Sequence, residues 1–154
     1  MKNYQIDSLD KEILLALRTQ ARMPYLEIAR HCNVSGALIH QRIQRMQDAG
    51  IIKGSQLVLN PKALGLLTCA FIGIQVNLTS TGTHQEVFRK ITAIDEIVEC
   101  HHISGKYSLL AKVYCKDNEN LKDIIIEKIQ SIQEIVSTET LISLQEGFIR
   151  PVNF

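Results

Sequence analysis

The pattern of apolar residues changes once along the chain, at Asn60-Pro61, and this change constrains the fold more than any other feature. Before it, apolar residues recur at intervals of three and four, which is typical of amphipathic helices. After it, runs rich in Val, Ile, Phe and Thr alternate with shorter helical patterns. The 154 residues have room for two small domains. We therefore predict an α+β protein with domains over residues 1–61 and 62–154.

The first domain is predicted to begin with two helices. In the first, over about residues 7–20, an apolar stripe is formed by Leu9, Ile13 and Leu17. A second, shorter helix begins near Pro24, whose fixed φ suits the first helical position. Asn33 tolerates a turn conformation and marks the end of this second helix.

A third helix is predicted to begin with Ser35 as its N-cap and to stop at Gly50. One side of it is apolar and is formed by Ile39, Ile43 and Met46. Two helices joined by a short turn, the second with a polar and basic face, are the plan of a helix-turn-helix. Two short β-prone runs then flank Gly54 and predict a small hairpin, or wing.

The outer face of this third helix carries the groups that DNA recognition needs. Amides at a helix start can hold a phosphate, and polar side chains can match base edges in the major groove. The predicted contacts are the first-turn residues Ser35, Gly36 and Ala37, the outward-facing His40, Gln41, Gln44 and Arg45, and, for backbone phosphates, Arg42 and Lys53. Charge agrees with this. Residues 1–62 hold nine basic and five acidic residues, a net charge of +4, and the remainder holds eight basic and eleven acidic residues, a net charge of −3.

The second domain shows the order β-α-β-β-α-β. Strands are predicted over 66–78, 97–104, 107–115 and 135–144, helices over 83–92 and from the cap Asn118 to about Ile129, and turns at Thr79–Gly82 and Gly105-Lys106. This order predicts a ferredoxin-like sheet with both helices on one face. Apolar residues on the open face would need a cover, for which a second copy of the chain is the economical choice.

Short motifs follow one another in order over nearly the whole chain. In the first domain they are Ile6-Asp7-x-Leu9-Asp10, Tyr25-x-Glu27-Ile28-Ala29 and Ala49-Gly50-Ile51-Ile52-x-Gly54. In the second they are Phe71-Ile72-Gly73-Ile74, Gly105-x-Tyr107-Ser108 and Ser137-Thr138-Glu139-Thr140. Each motif is weak alone, but the ordered set is specific. With these motifs the chain resembles the Lrp/AsnC family of amino-acid-responsive transcription regulators.

The resemblance implies a winged helix-turn-helix followed by a βαββαβ effector domain, in homodimers that often assemble into octamers. It implies a small amino acid as effector, asparagine first, and no other cofactor. By the same resemblance the effector site lies at the contact between dimers, at the turn Gly105, Lys106, Tyr107 and Ser108, with Gln130, Ser137 and Thr138 as the polar residues that close it. A glycine lets a carboxylate approach the backbone, and consecutive amides can hold it. Gln130 has a second interpretation, as a plain exposed helix residue.

Two other functions remain open. Tetrapyrrole decarboxylases with a similar fold use histidines near the segment Cys100-His101-His102. Adjacent residues on a strand point to opposite faces, so His101 and His102 cannot easily bind one ion, and we expect no metal and no catalytic residue. The other alternative is a sensor that only heterodimerises and no longer binds DNA, against which the basic third helix argues.

Cysteine spacing and hydropathy bear on the compartment. The four cysteines show no CxxC pair, and no apolar run approaches the roughly 20 residues of a membrane span. The first residues lack the apolar stretch of a secretory signal. We predict a cytoplasmic protein without a membrane segment.

Overall fold

A computed structural model of the protein describes residues 4–77 and 83–154, and its elements follow the predicted order. The helices are α1 (Ser8–Thr19), α2 (Tyr25–His31), α3 (Gly36–Asp48), α4 (His84–Thr92) and α5 (Asn118–Asp123), and the strands are β1 (Thr68–Val76), β2 (Ile97–His102), β3 (Leu109–Cys115) and β4 (Ile135–Ile142). A 3₁₀ turn spans Lys62–Leu64, and a π-helical turn, Ile124–Ile129, continues α5. The predicted turn Thr79–Gly82 and the strand end at Leu78 lie outside the described residues.

The chain divides into two compact units. The first contains the residues up to Val58 and also Ile149–Phe154, and the second contains Leu59–Phe148. The boundary predicted at residue 61 falls slightly later than this division. The prediction also assigned the whole C-terminal tail to the second domain, whereas the structure places its last six residues with the first unit.

In the first unit, α1 and α3 start at capping residues, whereas Pro24, predicted as the first helical residue, precedes α2 as its N-cap. Asp7 caps α1 by accepting from the Asp10 amide at 2.9 Å, and Ser35 caps α3 by accepting from the Leu38 amide at 3.2 Å. Asn33, with φ of 53°, makes the turn before α3, and Gly50, with φ of 73°, ends it. The three helices bury one core, formed by Ile13, Ile28, Ala29, Ile39, Ile43 and Met46.

A buried carboxylate links α1 to α3. Asp10 has no exposed surface. The Arg42 Nη1 atom lies 3.3 Å from Asp10 Oδ1 and 2.5 Å from Asp7 Oδ2. The Tyr4 hydroxyl donates to Asp10 at 3.0 Å. Because a charge removed from water is costly unless it is paired, this network requires Arg42 to point at α1.

The hairpin predicted around Gly54 is not formed in the structure, since residues 51–60 contain no strand. Leu57, Val58 and Leu59 are 70%, 97% and 62% exposed, so this segment has no apolar surface to pack on. A two-stranded hairpin that packs on nothing is marginal at best in water.

The second unit has the predicted ferredoxin-like topology. Its sheet is antiparallel with strand order β2-β3-β1-β4. One face is covered by α4, α5 and the π-helical turn, and the core beneath them is built mainly from Ala70, Ile72, Ile74, Val87, Ile91, Leu109, Ala111, Val113, Leu121, Ile124 and Ile129. The cap of α5 is Asp117 and not the predicted Asn118. Asp117 has extended backbone and accepts from the Asn120 amide at 2.8 Å, whereas Asn118 is already helical.

Within the two described ranges, no helix is both long enough and apolar enough to cross a membrane.

Arg42→Ala is expected to lower the free energy of unfolding by about 3–5 kcal/mol, because it leaves the buried Asp10 carboxylate without its cation. Urea denaturation of the full chain measures this. Arg45→Ala is the matched control on the same helix, since Arg45 is exposed, and it should change stability by no more than about 0.5 kcal/mol. Equal stability of the two variants would contradict the role given to Arg42.

Candidate DNA-binding helix and effector site

The outer face of α3 is polar and accessible. His40, Gln41, Gln44 and Arg45 are all exposed, while Ile39, Ile43 and Met46 lie in the core beneath them. Gln44 donates to Asp48 at 3.0 Å, and the His40 ring lies 6.0 Å from that of Tyr25. The four predicted base-contacting side chains therefore share one solvent-exposed face.

The start of α3 is also at the surface. Ser35 and Ala37 are exposed, and Gly36 is half-buried against Leu26. A Cβ at Gly36 would lie 3.0 Å from Leu26 Cδ2, so a small residue suits this position. The amides of Gly36 and Ala37 belong to the first turn, where a helix has no intrahelical partner for its N–H groups. These two amides can therefore bind an anion.

Arg42 and Lys53, the two side chains predicted to contact phosphates, are not both available for this role. Arg42 is bound to Asp7 and Asp10, and only 23% of its side chain is exposed, so its guanidinium serves the joint between helices and not a phosphate. The physical reason is the buried Asp10, whose charge needs a partner. Lys53 is exposed, but it lies on a segment without regular secondary structure and not on the predicted hairpin.

In the second unit, the turn between β2 and β3 lies against the open face of the sheet. Gly105 has φ of 131°, which favours glycine at this point. The ring of Tyr107 lies directly on Gly73 of β1, since a Cβ at Gly73 would lie 2.7–2.8 Å from ring atoms. Gly73 faces Glu139 of β4 in the sheet register, and Tyr107 donates its hydroxyl proton to Glu139.

Glu139 was not among the predicted site residues, although it joins two of them. Lys106 Nζ lies 2.5 Å from Glu139 Oε2 and 4.9 Å from the centroid of the Tyr107 ring. Lys106, and then Tyr107, holds the pKa of the Glu139 carboxyl below its usual value. Glu139, and then Tyr107, raises the pKa of the Lys106 ammonium. Both groups are therefore charged at neutral pH, which sets an ammonium and a carboxylate side by side at the surface.

The remaining predicted effector residues lie on two different faces. Ser108 accepts from the Val76 amide at 3.3 Å, and Ser137 donates to Gln75 at 3.0 Å on the open face. Gln130 donates instead to Thr138 at 2.9 Å, and Thr138 is paired with the buried Ile74 on the helix-covered face. Successive residues of a strand point to opposite sides. One copy of the chain therefore does not bring all seven predicted residues together.

The π-helical turn determines where Gln130 lies. The Gln130 amide donates to the carbonyl of Ile125, five residues earlier, at 2.8 Å. Single π turns are frequent at functional sites because they displace the side chains that follow. Gln130 follows this turn directly, and its side chain donates to Thr138 of β4.

The histidines of β2 are separated as the sequence predicted. His101 lies 2.6 Å from Glu99, whereas His102 contacts the ring of His84 on α4 at 5.2 Å. The two rings therefore lie on opposite faces of the strand. Residues 4–77 and 83–154 contain no group of three or more His, Cys, Asp or Glu side chains placed to hold a metal ion.

Comparison with known proteins gives consistent results. Residues 69–151 match the profile of the Lrp/AsnC ligand binding domain, and residues 6–53 match that of a winged helix-turn-helix DNA-binding domain. The regulatory protein AsnC of Escherichia coli K12 is 42% identical over 152 residues, which is 99% of each chain. That of Haemophilus influenzae is 41% identical over 149 residues, or 97% of this chain and 98% of the relative.

Two solved structures share the fold. The structure of Escherichia coli AsnC superimposes with a TM-score of 0.88 at 41% identity, over 97% of this chain and 99% of the other. A transcriptional regulator from Neisseria meningitidis, solved in complex with L-Met, gives a TM-score of 0.86 at 20% identity, over 95% of this chain and 94% of the other.

A helix-turn-helix with an exposed polar helix, followed by a ligand-binding sheet domain, defines a DNA-binding regulator of transcription. The chain belongs to the Lrp/AsnC family, which confirms the resemblance seen in the sequence. The close relatives named above are regulatory proteins, and this favours regulation over the decarboxylase alternative.

Gly73→Ala is expected to push Tyr107 off the sheet and break its bond to Glu139, at a cost of about 1–3 kcal/mol in the free energy of unfolding. Denaturant unfolding measures the cost, and the NMR signals of the Tyr107 ring report its displacement. Gly147→Ala is the control, because a Cβ at Gly147 meets nothing within 4 Å. If the Tyr107 signals were unmoved in Gly73→Ala, the close packing of ring on glycine would be wrong.

Proposed function

We propose that α3 binds the major groove of double-stranded DNA and that the turn Gly105–Ser108, with Glu139, binds a small amino acid that alters DNA binding or assembly. The observation that supports DNA binding is that α3 has one exposed polar face and one buried apolar face. Its polar residues, Arg45 among them, are exposed over a base formed by the buried Ile39, Ile43 and Met46. A helix exposed in this way fits the groove without rearrangement of the core.

The exposed residues of α3 and its neighbourhood differ in which groups of DNA they can bind. A guanidinium suits the O6 and N7 atoms of guanine, and a side-chain amide suits adenine, so Arg45, Gln41 and Gln44 are proposed to contact bases. His40 is proposed to lie beside them. Phosphate contacts are assigned to Ser35, to the amides of Gly36 and Ala37, and to Lys53.

The proposal that the second unit binds an amino acid rests on complementary charge. A free amino acid carries an ammonium and a carboxylate. Glu139 suits the first, and Lys106 with the amides after Gly105 suits the second. Tyr107 and Ser108 complete this side of the site. The L-Met complex of the Neisseria regulator supports an amino acid as the ligand class, and asparagine is our first candidate.

Gln130 and Thr138 are proposed to act across a contact between copies, whereas Ser137 is proposed to act on the open face, on the side of the turn. Gln130 and Thr138 face away from the open face, so a ligand reaches them and the turn together only where a second copy supplies one of the two sets. We propose a homodimer formed through the open face, which carries Phe71, Leu110 and the 55% exposed Leu141, and further assembly to an octamer. Sedimentation of the full chain tests both sizes.

We propose that the protein works in the cytoplasm, because bacterial transcription takes place there and its relatives are named as regulatory proteins of bacteria.

Arg45→Ala is expected to weaken binding to a duplex selected by the full chain from random sequence by about 5- to 150-fold and to relax the base preference at one position. Titrations at several salt concentrations measure this. Arg89→Ala removes one exposed cation of the second unit and is the matched control. Unchanged affinity in Arg45→Ala would support instead a heterodimerising sensor that does not contact DNA through α3.

A thermal-shift screen of all amino acids is expected to identify the effector, since a ligand at 100 times its Kd adds about 2.7 kcal/mol to stability. Glu139→Gln should abolish the shift, because it removes the partner of the ligand ammonium. Glu99→Gln, on β2 of the same sheet, is the control and should keep it. A shift with no amino acid, together with a visible absorbance band from a copurified tetrapyrrole, would favour the decarboxylase.

A further inference from the structure

The first unit contains a groove, and the chain's own C-terminal residues form one of its walls. The groove has a volume of about 590 Å³ and lies between α1, the end of α3 and residues 51–55. Its walls are largely apolar, with Leu14 and Leu17 on one side and Ile51 and Ile52 on another. Pro151, Val152 and Phe154 line the same groove, and all of them belong to the first unit.

Arg18 of α1 holds this tail at three points. Its Nη1 atom donates to the Val152 carbonyl at 3.4 Å and to Asn153 Oδ1 at 3.2 Å. Its guanidinium carbon also lies 5.6 Å from the centroid of the Phe154 ring. Phe154 is 48% exposed, against 83% for Val152, so the aromatic ring is the part of the tail that turns toward the groove.

The segment that precedes the tail is tied to the sheet. The Ser143 amide donates to the Cys69 carbonyl at 2.8 Å, directly after β4 ends. Glu146 then accepts from the Tyr114 hydroxyl at 3.2 Å and lies 4.0 Å from Lys112 Nζ. A short segment, residues 143–150, therefore joins β4, which carries Glu139, to the tail that lines the groove.

The groove also contains residues near the DNA-binding surface. Gln47 stands in the last turn of α3, and Lys53 is a proposed phosphate contact. The tail lines the same groove as these residues.

We propose that residues 151–154 are a docking peptide for this groove, held by Arg18, and that this docking couples the amino-acid site on β4 to α3. The docking is independent of the ligand, whereas the coupling rests on the proposed function. Allostery of this kind requires that the ligand change DNA affinity through a contact that can be removed.

Digestion of the full chain by carboxypeptidase A tests the docking. This enzyme releases C-terminal Phe only when the tail leaves its groove, so trimming follows the opening of the docked state. Arg18→Ala should speed the release of Phe154 by about tenfold or more, as followed by mass spectrometry. Lys11→Ala removes an exposed cation of the same helix and should trim at the parent rate. Equal rates for parent and Arg18→Ala overturn the docking.

Deletion of Pro151–Phe154 tests the coupling. For the full chain, the ratio of DNA affinities with and without the amino acid found in the thermal-shift screen is measured first. The deletion should bring this ratio close to one and leave the thermal shift itself intact. An unchanged ratio overturns the coupling. If no amino acid changes the DNA affinity of the full chain, the proposed function and the coupling are both overturned. The digestion result still decides the docking.

Discussion

The ion pair between Arg42 and the buried Asp10 fixes the arrangement on which DNA binding depends. A carboxylate without exposed surface has to be paired, and its cation comes from α3. Each residue turns a helix by about 100°, so directing Arg42 at α1 also decides which side chains face outward. Arg45 is exposed for this reason. Tyr4 and Asp7 complete the network, and the Asp10 amide, followed by Arg42, lowers the pKa of Asp7, so Asp7 stays ionised.

In the second unit, Gly73 is as important for the effector site as the Arg42–Asp10 pair is for α3. Gly73 allows Tyr107 to lie flat on the sheet, and from there the phenol reaches Glu139. The same carboxylate pairs with Lys106, so the turn after β2 is tied to β4 across the open face. The proposed effector site is therefore built between elements at opposite edges of the sheet, and β1 and β3 lie between them.

Periodicity and capping signals predicted the elements well because both depend on neighbours in sequence. The stripe of Ile39, Ile43 and Met46 and the order of the second domain required no knowledge of distant contacts. Ion pairs and hydrogen bonds between residues far apart in sequence could not be predicted in this way. Arg42 and Glu139 find their partners more than 30 residues away, and nothing in the local pattern of either records this. The C-terminal tail has no periodicity, so its place in the first unit could not be predicted. The prediction of the hairpin around Gly54 was wrong for a different reason, since β propensity does not supply a surface to pack on.

The division of the chain has a consequence for how such regulators diversify. Because the first unit is completed by the last six residues, the sheet domain is, in terms of covalent connection, an insertion within the helical one. Recombination that exchanges sensory halves between paralogues has to preserve two junctions, one after Val58 and one before Ile149. A swap that respects only the first junction gives a chimaera whose α1 meets a foreign terminal peptide. Selection on hybrid genes is therefore expected to keep Arg18 and Phe154 as a matched pair.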